Sequence, residues 1–172
     1  MTTQEILEAA RGAKTAVALS DSGTRDSALL GMADALCAPE SMDAILAANA
    51  EDMAAAKGHI SDVMLDRLAL TPQRIEAMAK GIRDVAALPD PVGRVLSRIE
   101  RPNGLLIEKT AVPMGVIAII YESRPNVTSD AAALAIKSGN ACILRCGKEA
   151  WRSANAIVQA LRQGLRAAGL PE

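Results

Sequence analysis

A short apolar run that ends abruptly in polar residues constrains the fold of this chain more than any other feature. Residues 115–121 are apolar up to a final tyrosine, and a glutamate, a serine and an arginine follow directly. Residues 127–138 have a helical pattern, residues 140–145 form a second apolar run, and residues 150–168 are again helical in pattern. This order predicts parallel strands joined by a helix. Ligands of such sheets bind at the carboxyl ends of the strands, so we expect a functional site in the turns there.

The first half of the chain has the pattern of a series of helices. Thr2 and Glu5 have the spacing of a capping box, and Thr71-Pro72 places a favoured N-cap residue before a proline at the first helical position. The side chains predicted to face inward are Ile6, Ala10, Ala13, Val17, Leu29, Met32, Ala33, Leu36, Met42, Ile45, Leu46, Asn49, Met53, Ile75, Met78, Ala79, Ile82 and Ala86.

Two prolines and a glycine at 88–93 interrupt the helical pattern and mark the best internal boundary. Residues 94–100 and 105–112 then alternate apolar and polar side chains around an Asn-Gly turn, which predicts a β-hairpin with one face in solvent. A sheet of only two parallel strands is small for a doubly wound fold, so the pattern predicts a truncated domain. The parts are helical (1–93), hairpin (94–112) and βαβα (113–172).

Composition and charge argue against several classes of protein. The chain has 172 residues and a formal net charge of −1, with both signs interspersed, which argues against nucleic acid as a partner. No apolar run approaches the roughly 20 residues that span a bilayer, and the N-terminus lacks the features of a signal peptide. Three cysteines without metal-ligand spacing predict reduced thiols and no metal site. We therefore expect a soluble, cytoplasmic protein without membrane contact.

Several segments resemble one known family. The run Ile-Ile-Tyr-Glu-Ser-Arg-Pro-Asn-Val-Thr (119–128), with Lys-Ser-Gly-Asn-Ala (137–141) and Ile-Leu-Arg (143–145), resembles the gamma-glutamyl phosphate reductases, a family of the aldehyde dehydrogenase superfamily. Residues 64–72 and 90–93 resemble the same family upstream. The similar segments follow the family order and span nearly the whole chain.

The resemblance implies a fold and an activity. The fold class would be α/β, with an N-terminal helical segment, a hairpin of a bridging or oligomerisation sheet, and the start of a Rossmann-like cofactor domain. The activity would be NADPH-dependent reduction of L-glutamate 5-phosphate to L-glutamate 5-semialdehyde and phosphate in proline biosynthesis. The family's nucleophilic cysteine falls in a later catalytic domain, so this chain alone would hold no catalytic residue and be inactive. A homo-oligomer is expected, with the upstream glutamate kinase as a further partner.

The turn after the first parallel strand is the sharpest candidate site. An arginine there suits a phosphate or carboxylate, and an asparagine can donate to a developing oxyanion. These side chains could equally cap the next helix in an ordinary turn. In the superfamily an asparagine of this loop helps to stabilise the oxyanion, and Ser123 and Asn126 both lie near its place. We assign Ser123, Arg124 and Asn126 to substrate, phosphate or oxyanion, and Tyr121 and Glu122 to the cofactor.

The turn after the second parallel strand is the second candidate site. The resemblance implies that a basic residue and a glutamate contact the adenosine ribose or its 2′-phosphate there, and two cations would favour NADPH over NADH. Without the resemblance, the turn could be an ordinary solvated one, because no G-x-G-x-x-G motif is present. Cys146 stands where the family has glycine. The cofactor residues assigned here are Arg145, Gly147, Lys148 and Glu149.

The remaining reactive side chains point to no second site. Cys142 and Cys146 lack a histidine or other base nearby in sequence, so we reject them as nucleophiles. His59, Asp130 and Lys137 are predicted to be surface groups. Two alternatives to a reductase stay open: a short non-catalytic nucleotide-binding or assembly module, and a helical interaction protein with an incidental βαβ tail.

Overall fold

The computed structural model describes residues 2–172, which form seven α-helices and four strands. Five helices come first, and a hairpin and a βαβα unit follow. The elements are α1 (Thr3–Leu19), α2 (Ser22–Cys37), α3 (Pro39–Ala56), α4 (Asp62–Leu68), α5 (Pro72–Ala86), β1 (Val95–Glu100), β2 (Leu106–Thr110), β3 (Val116–Ile120), α6 (Pro125–Lys137), β4 (Ala141–Arg145), a 3-10 turn (Lys148–Ala150) and α7 (Trp151–Ala167).

The starts of the helices follow the capping residues of the sequence. Thr2 and Glu5 form the predicted capping box, and the hydroxyl of Thr71 accepts a hydrogen bond from the amide of Arg74 at 3.2 Å. At α2 the cap is Asp21, and its carboxylate accepts from the amide of Thr24 at 2.6 Å. This contact holds the pKa of Asp21 below its usual range.

Helices α2, α5, α6 and α7 enclose the main core. The predicted inward faces of α2 and α5 are buried throughout, which confirms both helical patterns. Gly31 of α2 and Gly164 of α7 face each other, and a Cβ atom at Gly31 would lie 3.2 Å from the Cα of Gly164. Only glycine permits so close an approach of two helix backbones.

Helix α1 departs from its predicted burial. Of its four predicted inward side chains only Val17 is buried, whereas Ile6 is 39% exposed. The reason is position: α1 lies beside β4, and its apolar face lines a groove between β4 and α7 instead of a closed core.

The βαβ unit is present as predicted. Strands β3 and β4 pair in parallel, from Val116 opposite Ala141 to Ile120 opposite Arg145, and α6 connects them. Strand β3 is only alternately covered, and Ile120 is 83% exposed. Helices therefore do not cover both faces of this strand within residues 2–172.

The hairpin of β1 and β2 stands apart from the core. The two strands are antiparallel, with Arg98 opposite Glu108, and a bulge interrupts the pairing between Val95 and Ser97. Every residue of both strands is exposed, so the prediction of a single solvent face is wrong. The large apolar side chains of both strands are therefore exposed, among them Ile99 and Ile107, which lie opposite each other.

Two buried ion pairs tie the helices together. Lys137, predicted to be a surface charge, is 4% exposed, and its Nζ lies 2.6 Å from Asp26 and 2.8 Å from the carbonyl oxygen of Ala86. Arg25 similarly binds Asp90 at 2.6 Å. The prediction that Lys137 lies at the surface is wrong, because helical spacing does not show which polar side chain will have a partner in the interior. His59 is exposed as predicted.

None of the helices in residues 2–172 combines the length and apolar character needed to cross a membrane.

Candidate functional site

The turns that follow β3 and β4 lie side by side. The amide of Tyr121 donates to the carbonyl oxygen of Arg145 at 3.0 Å, which extends the strand pairing to the edge of the sheet. Just beyond, the hydroxyl of Ser123 donates to Oε2 of Glu149 at 3.2 Å. Ser123 is only 4% exposed. Parallel pairing therefore brings together two of the predicted site residues from different turns.

Gly147 lies against both of these side chains. A Cβ atom at this position would lie 2.9 Å from Oε2 of Glu149 and 3.3 Å from Oγ of Ser123. Any larger residue would displace the glutamate, so glycine permits the close contact of Ser123 and Glu149 with this turn. Cys146, the preceding residue, is partly buried there.

Two cations lie on either side of Gly147 along the chain. Arg145 ends β4, and Lys148 begins the 3-10 turn. Both side chains are exposed, and neither has an ion-pair partner within residues 2–172. They are thus available to an anionic ligand at the carboxyl ends of the strands.

Tyr121 anchors the first turn to α6. Its hydroxyl lies 2.7 Å from Oγ1 of Thr128, which is fully buried. Burial raises the pKa of Tyr121, so the phenol stays neutral at ordinary pH. Glu122 is exposed and makes no side-chain hydrogen bond to the described residues. Of these two predicted cofactor residues, Tyr121 is held in place and Glu122 is not.

Arg124 and Asn126 face a different cleft. This cleft has a volume of about 520 Å³ and lies between the start of α6, the connection from α4 to α5, and α5 itself. The predicted substrate residues are therefore divided between two neighbouring surfaces, with Ser123 on the Glu149 side. The charged and polar residues that line the cleft are Asp66, Arg67, Arg74, Arg124, Asn126 and Asp130.

The charges of this cleft are unequally paired. Arg74 is occupied, since it binds Asp66 at 2.9 Å and the carbonyl oxygen of Ala69 at 2.8 Å. Within residues 2–172, Asp130 accepts only from the side-chain amide of Asn126, at 3.3 Å, and partial desolvation raises its pKa. Arg67 and Arg124 have no side-chain partner in residues 2–172. The cleft thus presents two unpaired guanidinium groups beside a partly desolvated carboxylate.

Sequence reasoning missed Arg67. It predicted Asp130 at the surface, and Asp130 is exposed, but the sequence did not show that this residue lines a cleft. A signal for Arg67 existed, because it lies within the family-like segment 64–72. No pattern of spacing relates that segment to the start of α6, and only the packing of α5 against α6 brings them together.

The cysteines do not have the surroundings of a nucleophile. Burial raises the pKa of Cys142 in β4 to about 11 and raises the pKa of Cys146 as well. A thiol with a raised pKa is mostly protonated at neutral pH and reacts slowly. Within residues 2–172, no three histidine, cysteine, aspartate or glutamate side chains are grouped to hold a metal ion.

Comparison with known proteins gives one consistent result. Over 162 residues the chain is 59% identical to gamma-glutamyl phosphate reductase of Streptococcus pneumoniae strain Hungary19A-6 and, equally, to that of strain 70585. The chain belongs to the gamma-glutamyl phosphate reductase family. The alignment covers 94% of this chain and 38% of those relatives, and it corresponds to their N-terminal portion. No protein-family model matches the chain.

Solved structures agree with this family assignment. The gamma-glutamyl phosphate reductase of Thermotoga maritima has a TM-score of 0.93 at 38% identity, covering 98% of this chain and 40% of that protein. The Saccharomyces cerevisiae gamma-glutamyl phosphate reductase has a TM-score of 0.88 at 36% identity, covering 97% and 42%. A probable aldehyde dehydrogenase from Listeria monocytogenes shares the fold at 15% identity, with a TM-score of 0.69 and coverage of 98% and 34%.

Proposed function

We propose that this chain binds the nucleotide and admits the substrate as part of an NADPH-dependent reductase. The reaction would convert L-glutamate 5-phosphate to L-glutamate 5-semialdehyde and phosphate, a step of proline biosynthesis. The family assignment supports the reaction class, and the strand-end turns support the nucleotide. The chain spans 38% of the length of the curated relatives that it matches.

The convergence of Ser123, Gly147 and Glu149 carries the proposal. A dinucleotide laid across the ends of two parallel strands needs a surface without side-chain bulk, and Gly147, which has no side chain beside Glu149 and Ser123, adds none there. The Glu149 carboxylate can accept hydrogen bonds from ribose hydroxyls, because Ser123 is its one hydrogen-bond donor among residues 2–172. The residues present therefore fit a nicotinamide dinucleotide.

The two unpaired cations support NADPH in particular. Arg145 and Lys148 are both exposed beside Glu149. A 2′-phosphate carries negative charge that a ribose hydroxyl lacks, so unpaired cations stabilise NADPH more than NADH. We assign both residues to the 2′-phosphate.

The chain's own residues would bind and orient the nucleotide and the substrate. When bound, the nicotinamide supplies the hydride that reduces the acyl group. Ser123, Arg124 and Asn126 supply donors for the substrate, its phosphate or the oxyanion beside the turn after β3. Burial disfavours the thiolate of Cys142, so we do not assign the role of the family's nucleophilic cysteine to it.

We also propose that the protein assembles with other chains. The exposed apolar side chains of β1 and β2 support a homo-oligomer joined through the hairpin, as the resemblance implies. Glutamate kinase, whose reaction would supply the acyl phosphate, is retained as a partner of the same proposal.

Nucleotide binding can be measured with the single tryptophan of the chain. Trp151 lies three residues after Lys148 and is 59% exposed, so a bound dihydronicotinamide should quench its fluorescence. We expect saturable quenching by NADPH, weakened about tenfold in Glu149→Gln because a charged acceptor is lost. Glu76→Gln, at an exposed position on α5, is the matched control. Absence of saturable quenching in the unmodified protein would contradict the proposal.

A second assay separates catalysis from the alternative of a non-catalytic binding module. The gene as its source organism encodes it is expressed in a proline-requiring strain that lacks this reductase. Growth without proline supports the reductase. Saturable NADPH binding with no growth supports the binding module instead.

A further inference from the structure

We propose that the cleft between α5 and α6 binds the amino-acid end of the substrate, with Asp130 receiving an α-ammonium group and Arg67 or Arg124 receiving an α-carboxylate. The inference rests on the proposed function and adds two residues, Arg67 and Asp130, to the predicted site. It concerns recognition of the substrate only.

The size and position of the cleft suit this role. Its volume of about 520 Å³ lies within the usual range of roughly 300–1,000 Å³ for small-molecule sites. It adjoins the turn after β3, because only two residues separate Ser123 on the nucleotide side from Asn126 in the cleft. A substrate whose reacting end lies at this turn can place its other end among the cleft's charges.

The arginines supply the anion-binding half. Arg74 is already committed to Asp66 and to backbone oxygens of the α4–α5 connection, where it holds that connection in place. Arg67 and Arg124 come from different elements, face the same cleft and have no partner in residues 2–172. Helix α6 has no side-chain cap at its N-terminus, so its positive end adds to the attraction for an anion.

Asp130 supplies the cation-binding half. Its Oδ1 lies 3.8 Å from where a Cβ of Gly81 would be, which places the carboxylate against the backbone of α5. Asn126 is its only hydrogen-bonding partner in residues 2–172. Partial desolvation raises the pKa of Asp130, and an ammonium group bound there would restore the lost stabilisation of the charged form.

The mixture of charges distinguishes a zwitterion from a simple anion. A phosphate would gain from Arg67 and Arg124 but would be repelled by Asp130. An α-amino acid satisfies both signs at once, because its ammonium and carboxylate groups are attached to one carbon. The cleft therefore favours an amino acid over an inorganic or purely anionic ligand.

Ligand titrations followed by amide NMR spectra test this assignment. L-Glutamate carries the same amino-acid end as the proposed substrate. Glutarate lacks the ammonium group, and 4-aminobutyrate lacks the α-carboxylate. We expect glutamate to shift amides at the start of α6 and in the α4–α5 connection, and to bind at least about tenfold more tightly than either analogue.

Charge-removing variants assign each group. Asp130→Asn should abolish the preference for glutamate over glutarate, and Arg67→Gln or Arg124→Gln should reduce the preference over 4-aminobutyrate. Asp43→Asn and Arg11→Gln, at exposed positions outside the cleft, are the matched controls. NADPH quenching of Trp151 is measured in every variant, and it should not change in Asp130→Asn or Arg67→Gln.

Each outcome has one meaning. Equal affinity for glutamate and glutarate would overturn the inference, and so would amide shifts confined to residues outside the cleft. If NADPH still binds in either case, the proposed function is unaffected. Glutamate binding that is unchanged in Asp130→Asn would overturn the role of that residue. Failure of both NADPH and glutamate to bind would overturn the proposed function and the inference together.

Discussion

The hydroxyl of Ser123 donates a hydrogen bond to the Glu149 carboxylate at 3.2 Å, and this contact joins the turns that follow β3 and β4. The two residues are 26 positions apart in the chain. Their approach depends on the parallel register that places Ile120 opposite Arg145. The nucleotide site we propose is thus a consequence of strand pairing.

Gly147→Ala should weaken NADPH binding without unfolding the protein. The new methyl group would lie 2.9 Å from Oε2 of Glu149, and the flexible glutamate side chain can move to relieve this contact. We expect about a tenfold loss of affinity, measured by Trp151 quenching, and a melting temperature within a few degrees of the unmodified protein. Unchanged affinity would show that the nucleotide does not need this surface.

Removing the charge of Arg145 or Lys148 should affect NADPH more than NADH. Each cation is expected to stabilise the 2′-phosphate, so Arg145→Gln and Lys148→Gln should each weaken NADPH binding about tenfold and change NADH binding little. Arg101→Gln, in the hairpin turn, serves as the control. Equal weakening of both nucleotides would refute selection by these residues.

Gly164→Ala should strongly destabilise the fold. A Cβ atom there would lie 2.6 Å from the Cα of Met32, so α2 and α7 would have to separate. We expect a loss of about 3 kcal/mol in the free energy of unfolding, measured by urea titration. Gly12→Ala is the matched control, because nothing lies within 4 Å of a Cβ at that exposed site on α1. It should stabilise the protein by about 0.5–1 kcal/mol. A small effect at Gly164 would contradict the close approach of the helices.

Asp52→Asn should destabilise the start of α7. The buried carboxylate accepts from both the amide and the hydroxyl of Ser153, each at 2.7 Å. An amide oxygen is a weaker acceptor and its NH₂ group would need a partner, so we expect a loss of about 2 kcal/mol in the free energy of unfolding. The neighbouring Glu51→Gln removes only an exposed contact with Arg152 and should cost less than about 0.5 kcal/mol. Similar losses in both variants would argue against a special role for Asp52.

Cys142 should resist alkylation until the solution is strongly alkaline. Its pKa of about 11 leaves roughly a thousandth of the thiol ionised at pH 8. Labelling with iodoacetamide, read for each cysteine by peptide mass spectrometry, should therefore be slow and rise toward pH 11. Rapid labelling at pH 8 in the folded protein would contradict the burial of this thiol.

The same shift predicts a loss of stability at high pH. A cysteine in the unfolded chain ionises near its ordinary pKa of 9.0, whereas folded Cys142 keeps its proton to about 11. The folded state therefore binds this proton more tightly, and its contribution to stability is complete below pH 9 and is lost between pH 9 and 11. Cys142→Ala should remove this part of the pH dependence in urea titrations.

The sequence by itself determined the local elements and the edge of the sheet where we propose the nucleotide site. Interactions within a few residues determine helix caps such as Thr2 and Thr71 and the apolar faces of α2 and α5. The sequence pattern therefore predicts them. The change from apolar run to polar turn likewise indicated both strand ends. The segments that resemble the family indicated the reductase fold.

Only the tertiary structure decided which polar groups meet. The sequence predicts Lys137 as a surface charge, but in the structure its Nζ lies 2.6 Å from Oδ1 of Asp26 on another helix. The predicted group Ser123, Arg124 and Asn126 is divided because α6 begins at Pro125 and turns its first residues toward α5. Arg67 and Asp130 line the same cleft for the same reason. Such contacts depend on how helices pack at long range, which the periodicity of one element does not specify.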